Sequence, residues 1–275
     1  MVCCRRFAAE LLERCVLVPW AGPARHGARR KHAERWGRQL HITCAVQNVQ
    51  LLLKFETHLI QNIDAIPLFP PPKFFTSDVL NVTELLLRNR KANTVAIHFA
   101  REGIPGIEKV TWQDLRSRTR AVHDAMLSLG VQVGDKVASV ISNSVDAMVI
   151  CLAALSIGAV WSSASCDLGQ DAIVDRFSQI RPKIVFADDG YIYAGKVIGL
   201  KDRIRQWAYK LGQDDQLSSI VVIPYCQLPI DLSRIRKGCS FESFLRRGTG
   251  RVLTFNYLSF NNPAFILYSS GTVMI

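Results

Sequence analysis

Residues 134–187 read GDKVASVISNSVDAMVICLAALSIGAVWSSASCDLGQDAIVDRFSQIRPKIVFA, and the order of elements in this stretch decides the fold class. Gly134-Asp135 turns into a strand, Lys136 to Ile141. Ser142-Asn143-Ser144 then offers a cap to a helix from Val145 to Ile157, and Gly158 closes that helix, because short hydroxyl side chains satisfy the free N–H groups of a first turn and glycine tolerates the left-handed backbone that ends a last one. A second strand, Ala159 to Ser162, a helix, Ala172 to Ile180, and a third strand, Lys183 to Ala187, follow. Strands separated by helices of roughly ten to eighteen residues cannot be tight hairpins; they predict crossover units. The expected class is α/β, with a largely parallel sheet flanked by helices.

Upstream, the pattern predicts a short helix from Val82 to Arg90 and two strands, Thr94 to Phe99 and Lys109 to Thr111, about a Gly103-Ile104-Pro105-Gly106 turn. Thr111 caps a helix from Trp112 to Leu129, stopped by Gly130, whose apolar positions Leu115, Val122, Met126 and Leu129 recur largely three or four apart, as a face packed on a sheet would. His123 sits beside that face and reads as a core or surface histidine rather than a catalytic one. Downstream come a helix from about Leu200 to Leu211, a strand from Ile220 to Ile223 and a helix from Phe241 to Arg247. Ala264 to Tyr268 reads as a short buried strand entering Ser269-Ser270-Gly271-Thr272. Hydroxyls, free backbone amides and a glycine after a strand suit the phosphates of a nucleotide, although the Gly-x4-Gly-Lys-Ser/Thr pattern is absent and five residues alone favour an ordinary strand-to-turn connection.

Composition narrows the function. The chain has 275 residues, 49% of them hydrophobic, enough for one substantial core or two modest ones. Its eight cysteines show no paired spacing, and the six histidines show no ligand spacing, so reduced thiols and no zinc site are expected. The net charge of +11 is uneven: residues 1–61 hold ten Lys/Arg against four Asp/Glu, and residues 62–275 hold 24 against 19. A modestly basic body suits polyanionic small molecules and equally suits solvated lysines, while nucleic acid binding would rest on charge alone and is not expected. The longest apolar stretch, Ala147 to Trp161, is shorter than the roughly 18–20 residues of a bilayer span and contains Gly158, so it reads as a buried helix and no membrane partner is expected. A Gly-x-Ser-x-Gly elbow is missing, which disfavours a serine hydrolase.

Two motifs carry a resemblance. Phe265-Ile266-Leu267-Tyr268-Ser269-Ser270-Gly271-Thr272 is similar to the start of the phosphate loop of acyl-adenylate-forming (AMP-binding) enzymes, where Thr or Ser, Gly, any residue, Pro and Lys would follow; here Val273-Met274-Ile275 stand instead. Trp161-Ser162-Ser163 and the following Ser165-Cys166-Asp167-Leu168-Gly169 and Asp175-Arg176-Phe177-Ser178-Gln179-Ile180-Arg181-Pro182-Lys183 resemble the acetoacetyl-CoA synthetase family, with Cys166 where proline is usual and Leu168 where Phe is usual. The resemblance runs from about Pro67 to Thr272, leaving residues 1–61 an unassigned basic segment and residues 62–275 part of an adenylate-forming N-terminal domain.

What the resemblance implies is an acid–thiol ligase using ATP, Mg²⁺, CoA and acetoacetate, cytoplasmic, with another short-chain acyl-CoA synthetase or a non-catalytic nucleotide- or CoA-binding chain as alternatives. Ser269, Ser270, Gly271 and Thr272 would supply donors to the ATP phosphates. Lys196, which follows Ala194-Gly195, would approach the nucleotide end of CoA, and Trp161, Ser162 and Ser163 would line the pantetheine channel. Read as residues only, Lys196 is equally a solvated lysine at a turn and Trp161 a core tryptophan at a strand end. The family's adenine pocket, magnesium-binding acid, hinge and late catalytic lysine would lie beyond Ile275, so the expectation is a fragment inactive by itself.

Overall fold

The computed structural model describes residues 78–268. The basic segment 1–61, the proline cluster at Pro67–Pro72 and the hydroxyl-rich Ser269, Ser270, Gly271 and Thr272 lie outside the described residues.

The described chain begins with β1 (Val79–Leu80) and α1 (Val82–Leu87), followed by the hairpin of β2 (Val95–Phe99) and β3 (Glu108–Thr111) and by α2 (Trp112–Ser128). The central stretch supplies β4 (Lys136–Val140), α3 (Val145–Ile157), β5 (Val160–Ala164), α4 (Gln170–Ile180) and β6 (Ile184–Asp188). A second hairpin, β7 (Gly190–Tyr193) with β8 (Lys196–Gly199), precedes α5 (Lys201–Leu211), β9 (Ser219–Ile223), a 3₁₀ turn at Leu232–Arg234, β10 (Gly238–Ser240), α6 (Phe241–Leu245) and β11 (Leu258–Ser259).

Five strands form the main sheet in the order β10-β9-β6-β4-β5, every neighbour parallel. The α/β reading therefore holds, and the helix end at Gly158 holds with it, while the following strand runs Val160–Ala164 rather than Ala159 to Ser162. The Ser144 hydroxyl accepts from Ala147 N at 3.1 Å at the start of α3, and Gly158 ends the helix at φ +81°. Thr111 and Asp114 make a reciprocal capping box at the start of α2.

Strand alternation sends side chains to two cores, as a period of two requires. Val137, Trp161, Ile184, Phe186, Val221 and Ile223 face a core shared with α2, α3, α6 and the β2–β3 hairpin. Ala138, Val140, Ala164, Val185, Ala187, Ile220 and Val222 face the other, covered by α4 and α5. Phe186 meets Phe244 edge-on at 5.3 Å between ring centres, which pins α6 to the first face. The stretch Ala147 to Trp161 is buried because α3 packs between the sheet, α2 and α1. Among the described residues no helix is long and apolar enough to cross a membrane.

Three further expectations need correcting. The first helix stops at Leu87 rather than Arg90, since Arg88 takes an extended backbone (ψ 154°) at the C-cap. The helix expected to run from Phe241 to Arg247 ends at Leu245. Ala264 to Tyr268 is not a buried strand: it makes a single parallel bridge, Phe265 to Trp161, and leaves Phe265 46% and Leu267 77% exposed. The stretch lies outside β5, the last strand of the sheet, so apolar content that looks like a core strand has a neighbour on one side only among the described residues.

Candidate functional site

In an open parallel sheet, ligands sit at the carboxyl ends of the strands, where the chain leaves neighbouring strands toward opposite faces. That point lies between β4 and β6 here. The chain leaves β4 into α3, which packs on one core, and after β6 it reaches α5, which packs on the other. The gap is therefore bounded by Ile141-Ser142-Asn143-Ser144 on one side and Asp188-Asp189 on the other.

Two cavities open along this edge. One, of about 480 Å³, is framed by Ile141 to Val145, by Trp161, Ser163 and Ser165 from β5 and the residues after it, and by Phe99 of β2; Met148 and Cys151 of α3 form its apolar wall. The other, of about 490 Å³, carries Arg101, Glu108, Arg118, Asp146 and Tyr225. Phe99, Ser144 and Val145 line both, so the two share a wall.

The second cavity is polar and largely self-paired. Arg101 donates from Nη1 to the Tyr225 carbonyl oxygen at 2.5 Å, and its guanidinium lies 4.8 Å above the Tyr225 ring centre. Arg118 and Glu108 form a half-exposed ion pair at 3.6 Å, and burial pushes the Asp146 carboxyl above its usual range. In the first cavity, burial pushes the Cys151 thiol up to about 12, leaving a protonated, weakly reactive group that serves as apolar wall.

The two aspartates at the end of β6 organise what lies on either side of them. Asp189 accepts from Cys226 N and Leu228 N, both at 2.7 Å, and so shapes the segment after β9 that includes Tyr225. Asp188 turns the other way. Its Oδ2 accepts from Ser142 N at 2.7 Å and from the Cys166 thiol at 3.7 Å. Burial is the main cause that pushes Asp188 up to about 7; the Ser142 and Cys166 hydrogen bonds oppose it.

The residues singled out in the sequence are distributed as follows. Trp161 is buried and, with Ser163 two residues on, faces the first cavity. Ser162 points to the opposite face of β5, is fully buried, and its Oγ meets no hydrogen-bond partner among the described residues. Lys196 is exposed at the start of β8, after the tight turn Ala194-Gly195 (φ +50° and +75°). That turn is tied to the second cavity's rim, since Gly195 N donates to the Glu102 carboxylate next to Arg101. The geometry thus brings Trp161 and Ser163 together, sets Lys196 on a hairpin anchored at the neighbouring rim, and sends Ser162 away from both. Of the motif at 175–183, Phe177 fills the second core, while Arg176 takes the Tyr268 hydroxyl on its carbonyl at 2.6 Å and stacks over that ring at 5.2 Å, which fixes the end of the edge stretch.

Sequence reasoning missed Arg101, Tyr225 and the role of Asp188. The first two are 124 residues apart and meet only through the fold. Asp188 directly follows the strand expected to end at Ala187, but nothing local distinguishes it from Asp189. Among the described residues no group of three or more His, Cys, Asp and Glu could hold a metal ion.

Comparison with known proteins agrees with this architecture. Acetoacetyl-CoA synthetase from Rattus norvegicus is 41% identical over 207 residues, covering 73% of this chain and 30% of the relative. Malonamoyl-CoA synthetase vrtB from Penicillium aethiopicum is 32% identical over 220 residues, covering 76% of this chain and 30% of the relative. In three dimensions, acetoacetyl-CoA synthetase from Streptomyces lividans superposes with a TM-score of 0.54 at 28% identity, over 60% of this chain and 24% of that structure. The chain thus spans about 30% of the length of the relatives it matches. With residues 87–273 matching the family described as AMP-binding enzyme, the chain belongs to the AMP-binding enzymes and shares the acyl-adenylate-forming fold with the acetoacetyl-CoA synthetases.

Proposed function

We propose that this chain contributes the first part of an ATP-dependent acetoacetate–CoA ligase, in which it holds the pantetheine arm of CoA and the phosphates of ATP. The observation that supports this most directly is that Trp161 and Ser163, in a segment resembling the acetoacetyl-CoA synthetases, line a cavity at the carboxyl ends of β4 and β5, beside the switch point of the sheet. That cavity combines an apolar wall with Ser142, Ser144, Ser163, Ser165 and Asn143, a mixture that suits a flexible chain of methylenes and amides.

In the overall reaction a carboxylate oxygen of acetoacetate displaces pyrophosphate from the α-phosphorus of ATP, and the CoA sulfur then displaces AMP from the acyl carbonyl. The part assigned to this chain is binding and orientation. The Trp161 indole gives the arm a rigid apolar wall, Ser163 a hydroxyl partner, and Lys196 on its anchored hairpin a cation for the phosphates at the nucleotide end. Ser269, Ser270, Gly271 and Thr272 supply hydroxyls and amides to the β- and γ-phosphates of ATP, whose charge Mg²⁺ would help to neutralise when bound. The relation to a malonamoyl-CoA synthetase supports another short acid as the second choice of substrate.

Two measurements test this. Calorimetric titration of the chain with CoA should give binding that Trp161→Ala and Lys196→Ala each weaken and Ser162→Ala leaves unchanged; equal affinity in all four proteins would remove the assignment. Pyrophosphate release with ATP, Mg²⁺ and acetoacetate should be absent for the 275-residue chain and present when it is fused to the remaining part of an acetoacetyl-CoA synthetase. Release by the chain alone would show that its own residues complete the chemistry.

A further inference from the structure

Asp188 ends the middle strand of the five-stranded sheet and has no exposed surface. Its Oδ2 gathers the ends of the two strands beyond it: Ser142 N–H, just past β4, at 2.7 Å, and the Cys166 thiol, just past β5, at 3.7 Å. Ser142 Oγ and Cys166 Sγ lie 3.5 Å apart and close the triangle. Its Oδ1, equally buried, meets no hydrogen-bond partner among the described residues.

Ser142 and Ser165, the neighbour of Cys166, both line the Trp161 cavity, so Asp188 stands directly behind that cavity's wall. An ionised carboxylate offers about four acceptor sites, and one amide plus one weak thiol donor satisfy them poorly. The protonated carboxyl keeps the Ser142 bond on its carbonyl oxygen and carries no buried charge. We propose that Asp188 is a positioning residue for the Trp161 cavity, holding the segments 141–144 and 165–166 together while protonated and loosening them when it ionises.

The surrounding groups favour the neutral form. Asp189 is adjacent on the same strand; Cys166, with Asp167 after it, faces Asp188 from the end of β5; Tyr225 and Cys226 face it from the end of β9. Arg101, which reaches this neighbourhood through Tyr225, is engaged with that residue's carbonyl oxygen and ring. The carboxyl pushed up to about 7 by burial fits the same picture.

The inference rests on the ligase reading only for what fills the cavity, and hydrogen exchange separates the two. With intrinsic rates divided out, protection of residues 141–144 in the full chain should fall about tenfold per pH unit between about pH 5 and about pH 7 and then level off, because the opened segment loses the proton at an ordinary carboxylate pKa and the closed one keeps it. Asp188→Asn should flatten that profile. Asp189→Asn should loosen residues 226–228 and leave the 141–144 profile in place. A wild-type profile that is flat, or one that Asp188→Asn retains, would overturn the proposal. Should Asp188→Asn fail to fold, Cys166→Ala, which removes a donor to the carboxylate, is expected to move the levelling point to higher pH, and an unmoved point overturns the proposal as well. Added CoA gives the independent arm: no protection by CoA with the pH profile intact counts against the ligase reading alone, and protection by CoA without the profile counts against Asp188 alone.

Discussion

Asn81 offers the sharpest test of how the described body is held together. Its side chain is 3% exposed and makes five hydrogen bonds. Oδ1 accepts from Thr83 N and Glu84 N at 3.0 and 3.2 Å, capping α1. Nδ2 donates to Leu155 O, Ser156 O and Asn256 O at 3.0, 3.1 and 2.9 Å, and so joins α1 to the last turn of α3 and to the segment before β11. Replacing Asn81 by Ala removes an N-cap, at about 1 kcal/mol, and the donations of two amide hydrogens shared among three carbonyls, at about 1 kcal/mol per hydrogen before any desolvation penalty. Leu155 O and Ser156 O retain the amides of Gly158 and Asn256, so the desolvation penalty falls mainly on Asn256 O. The expected loss is about 3–4 kcal/mol, read as a lower urea midpoint at unchanged slope. Asn81→Asp separates the two roles. It keeps the cap but turns an acceptor toward three carbonyls, and it should be at least as destabilising as Ala at neutral pH and recover in part on acidification. A loss under about 1 kcal/mol for Asn81→Ala, or an Asp variant as stable as the parent, would refute the claim that the amide donations join the three segments.

Other perturbations probe different parts of the fold. Gly158→Ala must hold φ near +81° and bring its Cβ to 2.9 Å from Leu258 Cδ1; a loss of about 1–2 kcal/mol is expected by thermal melting, and an unchanged Tm would contradict the left-handed assignment. For global stability, Asp188 is raised in the folded chain to about 7 from 3.8. The folded state therefore binds the extra proton, and the contribution of Asp188 to stability should be full below about pH 4, decline as pH rises to about 7, and stay level above. Asp188→Asn should then be more stable than the parent at alkaline pH, by at most a few kcal/mol and with a higher Tm, and a lower Tm would reverse the sign. Asp124 behaves oppositely: burial raises its pKa, but the amides of Gly250, Arg251 and Thr249 and the Arg251 guanidinium outweigh this and hold it low. Its contribution should be present above the ordinary aspartate pKa and vanish as pH falls through the folded value, and Asp124→Ala should remove this acid-side dependence and expose residues 249–251 to limited proteolysis. Ser162→Ala removes a buried hydroxyl without a partner and should be neutral or stabilising in chemical denaturation; a loss above about 1 kcal/mol would mean that the hydroxyl is engaged.

The alternation of strand and helix, and with it the fold class, was written in local sequence. Ser144, Gly158 and Thr111 act through their own backbone neighbours, so caps and stops could be read with no knowledge of what packs where. The same holds for α5, whose buried Ile204, Trp207, Ala208 and Leu211 recur at helical spacing. Strand order could not be read this way. Nothing between residues 134 and 187 says that β6 returns to the far side of β4 rather than extending the sheet beyond β5, yet that choice creates the switch point and sets Ser142 against Asp188. It also decides which of three consecutive candidates reach the cavity: a strand's period of two turns Trp161 and Ser163 to one face and Ser162 to the other. The apolar run at 264–268 suggested burial, but composition carries no record of whether a strand lies at the middle of a sheet or at its edge. What the sequence determined by itself were the elements capped or stopped by their own neighbours, though not the β7–β8 hairpin, together with the family to which its motifs belong. What only the tertiary structure decided were the contacts across 46 residues between Asp188 and Ser142 and across 124 between Arg101 and Tyr225, because buried charge, shared cavities and facing side chains exist only after distant strands have been laid side by side.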